Sequence, residues 1–488
     1  MTMFGRKTRR LYLLCAATTL GACTVGRDFK EPHANLPSRW NESPHSVAST
    51  TYGGAVDATW WNSFHDAELT SLVSRLAAQN FDLAMAEQRV EEGRQERNAA
   101  ASQGLPQLGT SASYSRTMMS PQGFLQLVQP RPGAPTEYDL FSNSIMASWE
   151  ADLFGRIRRR VEAARANTAA AEEARHAIAL ETVSDLALNY FSLRAVQNKI
   201  EITKRNVAIA ERNTRLVRNQ IMFGTGNNLD LAESLELETS MRSTLPAMES
   251  LRSHLLNAIT LLLAQSPHSL DGELLASTNQ PDLPPSVPTG LPSELARRRP
   301  DIREAEAKLH AATAQTGAAV AAFYPDISLS GNFGTQSIQF PKMFNLSSRA
   351  GAVGPSLDIP IFKGGQLRAE LHLRKAEQKE AAIAYQKVVL KAWNEVDDAM
   401  VSYRNVQKTH DEIKNTVTEA KRELDVAQQR YSDGTENYLN VIASEREYLD
   451  ESSRLVSSKA ESEAMLVQLY KSLGGGWEYA EENKGKGA

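Results

Sequence analysis

The chain repeats itself. Asn80-Phe81-Asp82-Leu83 returns as Arg299-Pro300-Asp301-Ile302, and Leu105-Pro106-Gln107-Leu108 returns at the same offset as Tyr324-Pro325-Asp326-Ile327. Phe154-Gly155 then answers to the Phe362–Gly365 stretch. Ser192-Leu193-Arg194-Ala195-Val196-Gln197 answers to Ser402-Tyr403-Arg404-Asn405-Val406-Gln407, and Gly224-Thr225-Gly226-Asn227-Asn228-Leu229 to Gly434-Thr435-Glu436-Asn437-Tyr438-Leu439. From Gly155 onward the offset is constant and slightly shorter, so the difference in length falls in a loop. A long duplication constrains the fold before any local signal does, because each copy must fold in the same way. The map that follows is a first repeat over residues 66–280 and a second over 281–476, preceded by a segment 23–65 and followed by a flexible tail 477–488.

Each repeat predicts the same order of elements. A helix (Asp66–Ser102, then Ser293–Ala322) is stopped by Pro106 or Pro325, since proline cannot continue a helix. Two strands follow, 107–117 and 142–152 in the first repeat and 326–336 and 347–359 in the second. Pro121 to Pro135 form a Pro/Gly-rich loop within the first pair, and a shorter loop containing Pro341 lies within the second. These segments alternate loosely between small polar and apolar residues, as in Leu108, Thr110, Ala112 and Tyr114. About ten residues is the length a tilted strand needs to cross a bilayer.

Then come two proline-free stretches, Arg156–Phe223 and Gln366–Tyr431, each on the order of 100 Å long as a helix. A Gly-Thr turn closes each, and a second helix returns over Leu229–Leu263 or Leu439–Leu473. The long helices carry a seam: Leu186, Tyr190, Leu193, Val196, Ile200, Thr203, Val207, Ala210, Thr214, Val217, Ile221 in the first copy, and Val396, Met400, Tyr403, Val406, His410, Ile413, Val417, Ala420, Leu424, Ala427, Tyr431 in the second. Spacings of three and four alternate, as between facing helices of a coiled coil. Small and polar members keep it narrow, which suits helices standing side by side in a wall. Two strands are not stable alone and leave open edges, so the pattern demands oligomerisation.

The first residues form a targeting segment, 1–22. Arg6, Lys7, Arg9 and Arg10 precede a short apolar run from Leu11, and Leu20-Gly21-Ala22-Cys23 ends it. Small residues before a cysteine resemble the bacterial lipobox, with Cys23 as acceptor of a diacylglycerol and palmitate and as first residue of the mature chain. Thr24 follows where an Asp would favour the inner membrane, so the resemblance points to the outer one. The other cysteine, Cys15, lies inside the leader, which leaves no internal disulfide and no cysteine cluster for a metal. No later stretch of 18 or more apolar residues occurs; Leu251–Ala264 comes nearest and reads as a buried amphipathic helix. A membrane crossing by the mature chain must therefore be a closed β-barrel. A net charge of -4 argues against a nucleic-acid partner.

Together these features resemble the outer-membrane factor family of the TolC and OprM type, in its lipoprotein branch. The marks that carry it are the duplication, the two Gly-Thr turns, Ala-Arg-Arg-Arg-Pro-Asp-Ile at 296–302 and Leu473-Gly474-Gly475-Gly476-Trp477. The resemblance implies a mostly α protein with membrane β. It would be a homotrimer in which four strands from each of three chains close a twelve-stranded barrel, continued by a long periplasmic α-barrel. The partners implied are a periplasmic adaptor (membrane fusion) protein, an inner-membrane pump and outer-membrane lipid. The function implied is that of a passive exit duct for small toxic compounds or drugs, lipid-anchored and spanning the outer membrane, with no cofactor besides the lipid on Cys23.

The resemblance also places a periplasmic gate at the turns. Gly224 and Gly434 permit the reversals. Leu439 falls at the hydrophobic constriction, where three leucines could dewet the opening. Asp230 matches a position that bonds a tyrosine on the neighbouring coil, Tyr431 matches that tyrosine, and Arg430 precedes it; as an alternative, Asp230 caps its helix. Many relatives carry an aspartate four residues after the constriction leucine; Ala443 stands there instead, and Glu233 is its counterpart in the first repeat. No nucleophile elbow, His-Glu-x-x-His or Walker loop is present, and Gly224-Thr225-Gly226 follows a helix and lacks a third glycine, so the chain does not read as an enzyme. Two other functions fit parts of the pattern: the exit duct of a type I protein-secretion system, and a periplasmic coiled-coil scaffold lipoprotein without a pore.

Overall fold

The computed structural model describes residues 24–32, 50–120, 137–276 and 280–479. The leader, Cys23, the 121–135 loop and residues 480–488 lie outside the described residues. A short strand β1 (Thr50–Tyr52) precedes α1 (Ala67–Gln79), α2 (Phe81–Ser102), the pair β2 (Gln107–Met118) and β3 (Glu137–Ala151), and the hairpin α3 (Arg156–Met222) and α4 (Asn228–Leu262). The second copy follows a short α5 (Asp271–Leu274) and β4 (Ser286–Pro288). It comprises α6 (Leu295–Arg298), α7 (Pro300–Ala321), β5 (Asp326–Ser337), β6 (Arg349–Asp358), α8 (Gln366–Ser432) and α9 (Tyr438–Leu473).

Each expected first helix is two helices, broken at the same place in both repeats. Asn80 is extended, its carbonyl oxygen Oδ1 accepts from Leu83 N at 2.9 Å, and its Nδ2 donates to Leu262 O at 2.8 Å. Arg299 is extended because Pro300 follows it. The duplicated Asn80-Phe81-Asp82-Leu83 and Arg299-Pro300-Asp301-Ile302 motifs are thus helix breaks.

The described residues fall into two compact units, each drawn from both repeats. The first takes in those within Met1–Pro32, Glu91–Ala170 and Glu306–Ala384. Its centre is one antiparallel sheet in the order β2-β3-β5-β6, with β2 and β6 as open edges. The strands match the expected ones to within a few residues, except that β3 begins at Glu137, five positions earlier than 142.

The second unit takes in His33–Val90, Ala171–Ala305 and Tyr385–Ala488. Every member of the two seams is buried or half-buried, as the spacing requires. Its core includes Trp60, Trp61, Tyr190, Tyr403 and Tyr470, with Trp60 stacked on Tyr470 at 5.1 Å. Parallel pairing of β1 with β4 ties the segment just before α1 to the connection between the two repeats.

Two expectations are corrected here. The tail does not begin at residue 477. Trp477 is buried, stacks on His176 at 4.2 Å and donates Nε1 to Arg298 O, with Arg303 over its ring. Glycines at 474–476 permit this close return: a Cβ at Gly476 would stand 2.8 Å from Trp60. The Leu251–Ala264 stretch is only half-buried, with Leu251 and Leu261 exposed.

Candidate functional site: a two-faced sheet and the helix tips

Register decides which side chains share a face, since directly opposed residues point the same way. Leu108 lies opposite Ala147, Tyr114 opposite Phe141, Trp149 opposite Leu329, Ile145 opposite Phe333, and Ile327 opposite Leu357. That face is mainly apolar, with polar and charged residues such as Arg116, Asp139, Thr335 and Arg349 gathered toward the loop end of the strands. The other pairs Ser111 with Ser144, Ser113 with Ser142, Ser148 with Ser330, and Ser328 with Ser356. That face is rich in hydroxyls, with Ser113 and Ser142 bonded at 2.7 Å; Leu140 and Met146 depart from the pattern. On the apolar face Leu108, Phe333, Val353 and Leu357 are all more than half exposed in the single chain. A water-exposed apolar sheet of this extent is an interaction surface.

Where the sheet meets the helices, Arg156 bridges Glu150 (2.7 Å) and Asp326 (3.0 Å). Residues Thr24 to Phe29 are pinned at the same junction. Val25 N donates to Phe154 O, and Thr24 packs so tightly on Gly155 that a Cβ there would lie 2.6 Å from it. Arg159, 3% exposed, donates to Val25 O, Gly26 O and Asp28. Phe29 stacks on His310 at 4.4 Å.

The helix tips belong to the second unit. Gly224 and Gly434 take φ of +75° and +71°, and Thr225 and Thr435 each donate both N–H and Oγ1 to the carbonyl five residues back, of Gln220 or Arg430. Asn227 and Asn437 then cap the return helices through Leu229 N and Leu439 N. The tips are two copies of one Gly-Thr-x-Asn turn.

The structure places the proposed gate residues as follows. Asp230 is not the cap; its Oδ1 accepts from the Asn227 side chain at 3.3 Å within the first helical turn, where a carboxylate suits the dipole. Tyr431 accepts from Gln220 Nε2 at 2.8 Å, so within one chain it is bonded to Gln220 and not to Asp230. Arg430 lies 3.7 Å from Glu436. Leu439 is half-buried and Leu229 exposed.

Between the two hairpins Val217, Leu424, Ala427, Tyr438 and Val441 form a small core, with Tyr431 tilted against Tyr438 at 5.2 Å. Asn213 Nδ2 donates to buried Glu445 at 3.0 Å, and burial pushes that carboxyl above its ordinary range. Tyr438 is pushed up as well, by burial and then by Glu445, Tyr431 and Asp230. Sequence reading missed Gln220, Asn213, Tyr438 and Glu445. Asn213 and Tyr438 flank seam or turn residues, and their neighbours drew the attention.

Among the described residues no helix is long and apolar enough to cross a membrane, and no group of three or more His, Cys, Asp or Glu is placed to hold a metal ion.

A sheet with one apolar and one hydroxyl face, in a chain that also forms two long helical hairpins, defines a membrane channel component. The chain belongs to the outer membrane efflux protein family, whose profile matches residues 72–265 and 291–475. Outer membrane protein OprJ of Pseudomonas aeruginosa is 29% identical over 466 residues, 95% of each chain. Solvent efflux pump outer membrane protein SrpC of Pseudomonas putida is 30% identical, covering 95% of this chain and 97% of its own. Cation efflux system protein CusC of Escherichia coli is 28% identical over 469 residues. Among solved structures, the outer-membrane channel OprN superposes with a TM-score of 0.84 at 28% identity over 93% of this chain and all of its own. The open state of the MtrE outer membrane channel of Neisseria gonorrhoeae gives 0.80 at 27%, over 93% of this chain and 99% of its own. The protein is thus an outer-membrane efflux channel protein.

Proposed function

We propose that three copies close one barrel from their four-stranded sheets, and that this barrel is the exit of a tripartite pump. The observation that carries the reading is the sheet: one apolar face, one hydroxyl face and two unpaired edges. Lipid has no partner for an open edge, so the edges must meet neighbouring copies. The apolar face then turns to lipid and the serine face to a wet lumen. The long hairpins extend the wall into the periplasm, where an adaptor and an inner-membrane pump deliver cargo. That cargo is small toxic compounds; names such as "solvent efflux" and "cation efflux" among the relatives fit a duct that takes whatever its pump supplies.

Cys23 carries the lipid. Its neighbour Thr24 is held at the end of the sheet, where an acyl chain reaches the inner leaflet without crossing the barrel.

The gate lies at the tips. Leu439 forms the constriction, and Asp230, Arg430 and Tyr431 link copies. The Gln220–Tyr431 bond adds a clasp between the two hairpins of one chain. Such a partly exposed link is worth about 1 kcal/mol, weak enough for an adaptor to undo. A relative solved in an open state is consistent with tips that move.

Single-channel conductance in planar bilayers tests the gate. Tyr431→Phe with Asp230→Ala is expected to raise conductance severalfold over the wild-type channel. A double variant with unchanged conductance removes the tips as the gate.

A further inference from the structure

Far from the tip turns along α9, Glu463 is completely buried, and among the described residues neither of its carboxyl oxygens has a hydrogen-bond partner. A carboxylate in that position would have lost its hydration with nothing in return. Such a group keeps its proton.

Its surroundings are well defined. One turn earlier on the same helix, Lys459 Nζ donates to Gln280 O at 3.0 Å and Asp282 Oδ1 at 2.8 Å. The ammonium is committed to that segment. Asp282, exposed on the 280–285 connection, and Asp66, at the cap of α1, act on Glu463 through their charge. Asp66 is itself occupied, accepting from Leu69 N at 3.0 Å and from the Tyr190 hydroxyl at 2.7 Å.

We propose that Glu463 is a buried proton-binding site, neutral in the folded core of the second unit, whose ionisation destabilises the packing around α9. Burial, reinforced by Asp282 and Asp66 and opposed by Lys459, raises the carboxyl from an ordinary 4.5 to about 8. Between those values the folded chain holds a proton that the unfolded chain has released. The stabilisation is complete below 4.5 and declines as pH rises through about 8. A channel protein bathed by the external medium meets that range directly.

The test uses the full-length trimer in detergent. Infrared difference spectra are expected to show the carbonyl band of a protonated carboxylic acid that titrates out near pH 8. Glu463→Gln should lack that band, and its thermal midpoint should stay flat across the range where the wild type declines. Asp282→Asn, at an exposed side chain, should move the midpoint of the band to lower pH, because it removes an acidic neighbour and frees Lys459. It serves if Glu463→Gln does not fold. A band that survives in Glu463→Gln, parallel pH profiles, or an Asp282→Asn midpoint that stays in place would overturn the assignment. None of these readouts depends on the gate or on conductance.

Discussion

Arg299 shows how a family-like motif acts at a single residue. Its guanidinium is buried and donates to Ser472 O at 2.9 Å, to Asp301 at 2.7 Å and to Glu395 at 2.6 Å. It fastens the helix break of the second repeat to the end of α9. Arg299→Ala leaves a buried carbonyl and two carboxylates short of a donor, and is expected to cost about 3 kcal/mol, read as a lowered thermal midpoint of the purified protein. Two glycines separate turn conformation from close contact. Gly434 and Gly474 share a left-handed φ, but a Cβ at Gly434 meets nothing within 4 Å, whereas one at Gly474 meets Arg299 at 3.1 Å. Gly434→Ala should cost about 1 kcal/mol, and Gly474→Ala distinctly more, by the same thermal measurement. The tip turns were legible in sequence because Gly-Thr-x-Asn occurs twice. Trp477 was not: a tryptophan after three glycines reads as the start of a tail, and only the packing of His176 and Trp60 reveals what the glycines admit.

At the scale of elements, the long helices were the most legible. Proline-free length and a seam with alternating spacing survive any local ambiguity, and each seam position proved at least half-buried. The strands were harder. Their lipid-type face is diluted by Gly, Ala and Thr, so the alternation looks loose along one strand and becomes clear only when four strands are placed in register. The break at Asn80 was hidden because asparagine is tolerated within helical patterns, while its capping bond needs tertiary structure to be seen. Register makes a sharp prediction. Phe333 and Asn332 are adjacent on β5 but point to opposite faces. Phe333→Arg, on the proposed lipid side, should cost about 2–4 kcal/mol near the bilayer midplane and reduce the folded protein recovered in outer-membrane fractions. Asn332→Arg, on the proposed lumen side, should assemble normally and shift ion selectivity in planar bilayers. Equal assembly of both would reverse or abolish the face assignment.

For the whole molecule, the duplication is what made function readable. Two copies of a module that cannot seal its own sheet imply closure by association. The scaffold alternative would keep the helices but has no use for a sheet with one apolar and one hydroxyl face, and the family assignment places the chain among channels. Direct evidence comes from joining the open edges. The sequence has no cysteine beyond position 23, so a fixed Ser111→Cys on β2 can be paired with single cysteines scanned along β6 from Ala350 to Ser356. If copies close one barrel, oxidation in outer membranes should give a denaturant-resistant ladder that ends at three chains, with cross-linking at alternate β6 positions. Cross-linking confined within single chains, or ladders that run past three, would contradict the closed trimeric duct.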